Sequence, residues 1–262
     1  MTVASVTAKI MSAVLSAVFH SRFIKNENMS ANAGAATENS RSRFRPPRGC
    51  TLTRTPCGEC FVESLVPENA GTDTVIFHIH GGSFKIKLID LYRRLALKYS
   101  RTAGEAAVYS VDYRIMPEYI FPSQLDDVMS AWDMLMSQGV KPENVIAVGD
   151  SSGANLVLAL AQKLRDSGRP MPKKLVCFSL WGDMTACGES YERNCHSDPF
   201  YGIAKKESFH EHEAYFRRRP KYAGEHDLSD PYLSVSFADF SGFPPTVFFC
   251  GTAEVGESDT DT

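Results

Sequence analysis

The chain is expected to fold as an α/β protein whose sheet is mostly parallel and covered by helices on both faces. Three observations lead there. Short β-branched apolar runs alternate with longer amphipathic segments between residues 74 and 180, and that alternation builds strand–helix–strand units around a parallel sheet. The run Val145 to Val148 passes directly into Gly149-Asp150-Ser151-Ser152-Gly153 and then into the almost wholly apolar stretch Ala154 to Leu164. That is the strand–turn–helix context in which G-x-S-x-G forms a nucleophile elbow. Finally, 262 residues with 43% hydrophobic and 23% charged content suffice to bury one large core.

Taken in order, Val3, Val6, Ile10, Val14 and Val18 recur at helical spacing, which predicts an amphipathic helix over residues 1–25. Lys9 interrupts its apolar centre and His20-Ser21-Arg22 follows it, unlike a secretion signal. Residues 26–49 are polar, small and then basic, and read as a flexible linker. Thr51 to Pro56 and Glu59 to Val66 read as a hairpin with Gly58 at its turn. Thr74 to Ile79 is a buried strand running straight into His80-Gly81-Gly82-Ser83-Phe84. Leu88, Leu91 or Tyr92, Leu95 and Tyr99 mark the next helix, which stops at Gly104. Ala106 to Val111 is a strand, and residues 112–122 an extended loop set by two prolines. Ser123 is expected to cap a helix with Asp126 three residues on. Leu125, Val128, Trp132 and Leu135 form that helix's inner face, and Asp126 and Asp127 read as first-turn charges. Strand Lys174 to Leu180 follows the elbow helix. Residues 181–230 break the rhythm and read as a lid or cap insertion with one helix around Lys205 to Arg219. Thr246 to Cys250 is the last strand, with Glu254 beyond its carboxyl end.

Composition narrows the function classes. A net charge of −3 makes no electrostatic case for nucleic acid, and no apolar run reaches the roughly 18 residues of a membrane span. Seven scattered cysteines do not make a disulfide framework, so a reducing, cytoplasmic setting is expected. Cys57-Gly58-Glu59-Cys60 lacks a second pair to complete a zinc site, and on a helix His210 and His212 point apart. No metal is expected. In a parallel sheet ligands sit at the carboxyl ends of the strands, where His80 and Ser151 both fall.

Four separated blocks then agree: H-G-G-S-F at His80, D-Y-R-x-x-P-E-x-x-F-P at Asp112, G-D-S-S-G-x-N at Gly149 and P-P-T-x-x-x-x-G-x-x-E at Pro244. Together they resemble the hormone-sensitive-lipase-like branch of the α/β-hydrolases, a family of carboxylesterases. The resemblance covers roughly residues 74–254 and implies an α/β-hydrolase fold with a cap drawn from the N-terminal segment and the 181–230 insertion; the hydrolase domain is expected over residues 50–262. It makes Ser151 the nucleophile and Glu254 the triad acid. The backbone N–H groups of Gly81, Gly82 and Ser152 would form the oxyanion hole, with His80 as loop support. The expected reaction is hydrolysis of short- to medium-chain carboxylic esters through an acyl-enzyme. The partner is a small-molecule ester and no cofactor is needed. A serine hydroxyl needs a base to take its proton, and a developing oxyanion needs prepositioned donors worth roughly 3 kcal/mol each.

One feature departs from the family pattern. The family's catalytic histidine follows the acid, beyond a further helix and strand. A mean helix and strand take roughly 17 residues, whereas after Glu254 the sequence reads V-G-E-S-D-T-D-T. The expectation is therefore a fold lacking its last strand and helix. Its alternative reading is a truncated or pseudoenzyme hydrolase that binds ester-like or hydrophobic ligands without efficient turnover.

Overall fold

The computed structural model describes residues 42–260; the helix expected over residues 1–25 lies outside them. Seven strands form one sheet in the order β1-β2-β4-β3-β5-β6-β7. These are β1 (Cys50–Cys57), β2 (Cys60–Pro67), β3 (Val75–Ile79), β4 (Ala107–Asp112), β5 (Val145–Asp150), β6 (Lys174–Phe178) and β7 (Thr246–Phe249). The helices are α1 (Asp90–Thr102), α2 (Ser123–Ser137), α3 (Ser152–Asp166), α4 (Ser190–Arg193) and α5 (Phe209–Phe216). β1 pairs antiparallel with β2, and β2 antiparallel with β4. Every pairing from β4 to β7 is parallel. The hairpin is legible in the sequence. Its antiparallel docking on β4 is not, because pairing partners on separate elements leave no local mark.

β3 is buried along its whole length and divides the core by its alternation. Val75, Phe77 and Ile79 join α2 and α3 in the main cluster, where Phe77 meets Trp132 edge-on at 5.8 Å. Ile76 joins Ala96 of α1 with Val108 and Val148 on the other face. His78 shares that second face, between the rings of Tyr92 and Tyr99, with Nδ1 2.9 Å from Ser110 Oγ. Complete burial drives its pKa down to about 3, so it stays neutral. α3 is buried over nearly all its residues, and each of its enclosed leucines contributes about 2 kcal/mol.

Several sequence expectations are corrected. In α1 the inward residues are Tyr92, Ala96 and Ser100, while Leu91 is 59% exposed; a lone apolar residue beside a tyrosine does not decide which of the two turns inward. Ser123 begins α2 but makes no side-chain cap. Asp127 is no surface charge: it is buried and takes a two-pronged contact from Arg114, at 2.8–3.0 Å. Arg114 comes from the 112–122 loop, so this pair pins the loop to α2. β6 ends at Phe178 rather than Leu180. The insertion helix shrinks to α5, which starts with a complete Ser208–Glu211 capping box. Residues 42–49, the end of the expected linker, are held in place, with Ser42, Arg43 and Phe44 all bonded to Asp90 of α1. β7 is the edge of the described sheet, and its Phe249 is half exposed.

Candidate active site

The elbow forms as its sequence context requires. Ser151 joins β5 to α3 at φ 51°, ψ −122°, a conformation that costs a non-glycine residue energy and persists only where its surroundings impose it. Here both sides of the residue are tied. Its N–H donates to Phe178 O of β6 at 2.9 Å, and its carbonyl accepts from Ala154 and Asn155 N–H at 3.0 and 3.2 Å. The next residue, Ser152, is fully buried at the start of α3, where backbone N–H groups lack helical partners and favour an anion.

β3 pairs with β5 up to Ile79 and Gly149, which sets the 80–84 turn beside the elbow. His80 is fully buried, with Nδ1 2.8 Å from Gly81 O. Its ring stacks on Tyr113 at 4.3 Å, and the Tyr113 hydroxyl donates to His80 O at 2.7 Å. Burial lowers its pKa and keeps it neutral. These contacts suit a residue that props the turn.

Gly81 differs from expectation. Its N–H donates to Asp150 Oδ1 at 3.1 Å, so it already has a partner. A Cβ there would lie 2.4 Å from Asp150 Oδ2; the contact needs glycine for its closeness. The turn continues through Gly82 and Ser83, both at positive φ (109° and 55°), and their N–H groups come next along it. Ser83 is therefore a residue that the sequence reading passed over. Serine carries no signal for a left-handed backbone, so only the folded turn reveals it.

Asp150 accepts from Gly81 N–H and hydrogen-bonds the Tyr92 hydroxyl, and its burial pushes its pKa up to about 6. The sign follows from where the proton sits. In the unfolded chain Asp150 ionises near pH 4, so between about pH 4 and 6 the native state binds more protons. Stability then falls as pH rises through that window, by about 3 kcal/mol for a shift of this size. Asp259, also pushed up by burial, to about 7, adds a slope of the same sign. Asp150→Asn has no proton to lose. Its urea unfolding free energy is expected to fall less than the parent's between pH 4 and 6. Parallel profiles for the two proteins would refute this.

Glu254 lies beyond β7, half-buried. Its Oε1 accepts from Ser179 Oγ at 2.9 Å and from Gly251 N–H at 2.8 Å, and Cys250 Sγ lies 3.6 Å from Oε2. Ser179 stands at φ 46°, and its N–H donates to Phe249 O at 2.7 Å. The last residue of β6 and the one after it thus serve both neighbours: Phe178 fixes the Ser151 backbone and Ser179 holds the Glu254 carboxylate. Ser179 was not singled out from sequence, since its partner lies 75 residues away.

Among the described residues no histidine is hydrogen-bonded to Ser151 or Glu254. His210 Nδ1 lies 3.9 Å from Glu213, and His212 Nε2 3.4 Å from Glu207. His226 packs edge-on against Phe121. Cys57 and Cys60 are free thiols on the last register pair of the β1–β2 hairpin, and burial raises the pKa of both. No described helix is long and apolar enough to cross a membrane.

Comparison with known proteins agrees with this architecture. A family model described as the alpha/beta hydrolase fold matches residues 76–261. An acetyl-hydrolase of Streptomyces hygroscopicus is 32% identical over 202 residues, which are 77% of this chain and 64% of that protein. An esterase of Acinetobacter venetianus is 33% identical over 191 residues, 72% of this chain and 60% of that protein. The chain thus spans less than two-thirds of the length of these curated relatives. Among solved structures, an esterase/lipase from an uncultured bacterium superposes with a TM-score of 0.81 at 26% identity, covering 98% of this chain and 82% of that one. EstE7, a homologue of hormone-sensitive lipase from a metagenome library, gives a TM-score of 0.77 at 25% identity, covering 97% and 81%. With its elbow, its glycine turn and its sheet order all in place, the chain belongs to the hormone-sensitive-lipase-like branch of the α/β-hydrolase family.

Proposed function

We propose that this protein hydrolyses short- to medium-chain carboxylic esters with Ser151 as nucleophile. The observation that carries the reading is the tied, strained corner at Ser151, at the carboxyl end of a central parallel strand and beside a turn of backbone donors. A corner of that shape presents a hydroxyl to an incoming carbonyl instead of packing it into the core. Attack turns the carbonyl oxygen into an anion. The N–H groups of Gly82, Ser83 and Ser152 are the donors for it, with Gly81 serving Asp150 instead. The ester bond then breaks, the alcohol leaves with a proton, and water releases the acid from the acyl-enzyme. Glu254, locked by Ser179 and Gly251, is the acid that orients the base. By the family resemblance that base is an imidazole. The names of the relatives, esterase and acetyl-hydrolase, support the same reaction class.

The test is labelling with a fluorophosphonate, combined with turnover of p-nitrophenyl acetate and butyrate. The parent is expected to take up close to one equivalent of label, all of it at Ser151, and Ser151→Ala none. Equal labelling or equal turnover in the two proteins overturns the proposal. A parent that neither labels nor turns over esters is the outcome expected of a ligand-binding pseudoenzyme.

A further inference from the structure

The segment between β6 and β7 grips the loop that carries Glu254, and one buried carboxylate does so while holding something else. Asp198 is 3% exposed. Its Oδ1 accepts from the N–H groups of Phe200 and Tyr201, at 2.7 and 2.9 Å. Its Oδ2 accepts from the N–H of Val255, the residue after Glu254, at 2.8 Å. A carboxylate accepts at both oxygens, which an amide or a hydroxyl of similar size cannot do in this geometry. On the acid side the grip is reinforced. Asn194 Nδ2 donates to Thr252 O and Glu254 O at 3.2 and 2.7 Å, and Ser190 Oγ donates to Val255 O at 2.6 Å. On the other side, Phe200 and Tyr201 meet ring to ring at 4.7 Å, and the Tyr201 side chain hydrogen-bonds that of Ser83 in the donor turn.

We propose that Asp198 is a positioning residue that couples the seating of the Phe200–Tyr201 pair against the donor turn to the placement of Glu254. This rests on the esterase reading given above. The physical reason is that both arms end on one ion. When the 200–201 turn opens, the carboxylate loses two of its three backbone donors and is free to rotate. Val255, and with it the backbone of Glu254, loses its fixed partner. A substrate group that packs on the aromatic pair closes the turn and restores the acid's position.

Amide hydrogen exchange on the full chain tests the linkage, with Asp198→Asn as the variant. The amide keeps the size but offers only one acceptor atom. Protection is expected to fall in both 199–203 and 251–257 while β3 and β5 keep theirs, and Asn194→Ala is expected to loosen 251–257 alone. With p-nitrophenyl butyrate, Asp198→Asn is expected to lower kcat by about 10- to 100-fold with little change in KM, and Asp198→Glu, which keeps both oxygens, to recover part of it. Loosening of only one segment by Asp198→Asn overturns the coupling. Loosening of both with kcat intact overturns the positioning role. If Asp198→Asn loses protection in the sheet as well, Tyr201→Phe takes its place; loosening confined to 199–203 then overturns the coupling. A parent without Ser151-dependent turnover overturns the esterase reading instead, and the exchange data still decide whether the two segments are linked.

Discussion

Ser151→Gly is expected to remove turnover and, at the same time, to raise the unfolding free energy by about 1 kcal/mol. Both effects come from the same backbone angles. At φ 51° and ψ −122° a serine pays of order 1–3 kcal/mol, because its Cβ crowds the chain. Glycine avoids that strain but loses about 0.5–1 kcal/mol through its freer unfolded state. The native tethers at Phe178 O, Ala154 N–H and Asn155 N–H involve only the backbone, so they survive the change. Loss of the hydroxyl should cost about 10⁴-fold or more in kcat, the scale seen when a hydrolase nucleophile is deleted. Ser151→Ala is the control: it loses turnover but keeps the strain, so it should gain no stability. Urea unfolding of the three proteins, together with p-nitrophenyl butyrate assays, decides the matter. A glycine variant no more stable than the alanine variant means that the corner is not strained. Retained turnover means that the nucleophile lies elsewhere.

Gly153→Ala is expected to destabilise the protein by about 3 kcal/mol or more, near the upper end for overpacking a filled site. A Cβ on Gly153 would stand 2.2 Å from Ile79 O and 2.6 Å from both His80 C and His80 O. All three are backbone atoms at the end of a fully buried central strand, so nothing flexible can move aside. The first turn of α3 would have to lift off β3, taking Ser152 and the 80–84 turn out of register. Fluorophosphonate labelling at Ser151 should therefore slow even at temperatures where the variant stays folded. Gly71→Ala is the comparison. Nothing lies within 4 Å of its added Cβ, and a surface change of that kind should stay within about 0.5 kcal/mol. Equal melting temperatures for the two variants would show that strand and helix do not touch at Gly153.

Features whose cause is local were open to reading from the residue string. Val145 to Leu164 carries strand, turn and helix signals within twenty consecutive positions, and the structure forms all three there. Leu125, Val128, Trp132 and Leu135 are all buried, as their spacing requires. His80 and Glu254 belong to short blocks that the structure places just beyond the ends of β3 and β7. What escaped notice lies between residues distant in the chain. Gly81 and Asp150 are 69 positions apart, Ser179 and Glu254 75, and Asp198 and Val255 57. An aspartate looks the same in sequence whether it faces water, as Asp127 was expected to, or is buried against an arginine, as it is.

The sequence by itself determined the alternating α/β order, the corner at Ser151 and the family to which both belong, because periodicity and turn chemistry act over a few residues and need no partner. Only the tertiary structure decided that the Gly81 N–H is taken by Asp150, that Ser179 steadies Glu254 and that Asp198 ties the insertion to the Glu254 loop. Those outcomes depend on hydrogen bonds whose two ends meet after the sheet has brought remote segments together, and on burial, which assigns each polar group the one partner within reach.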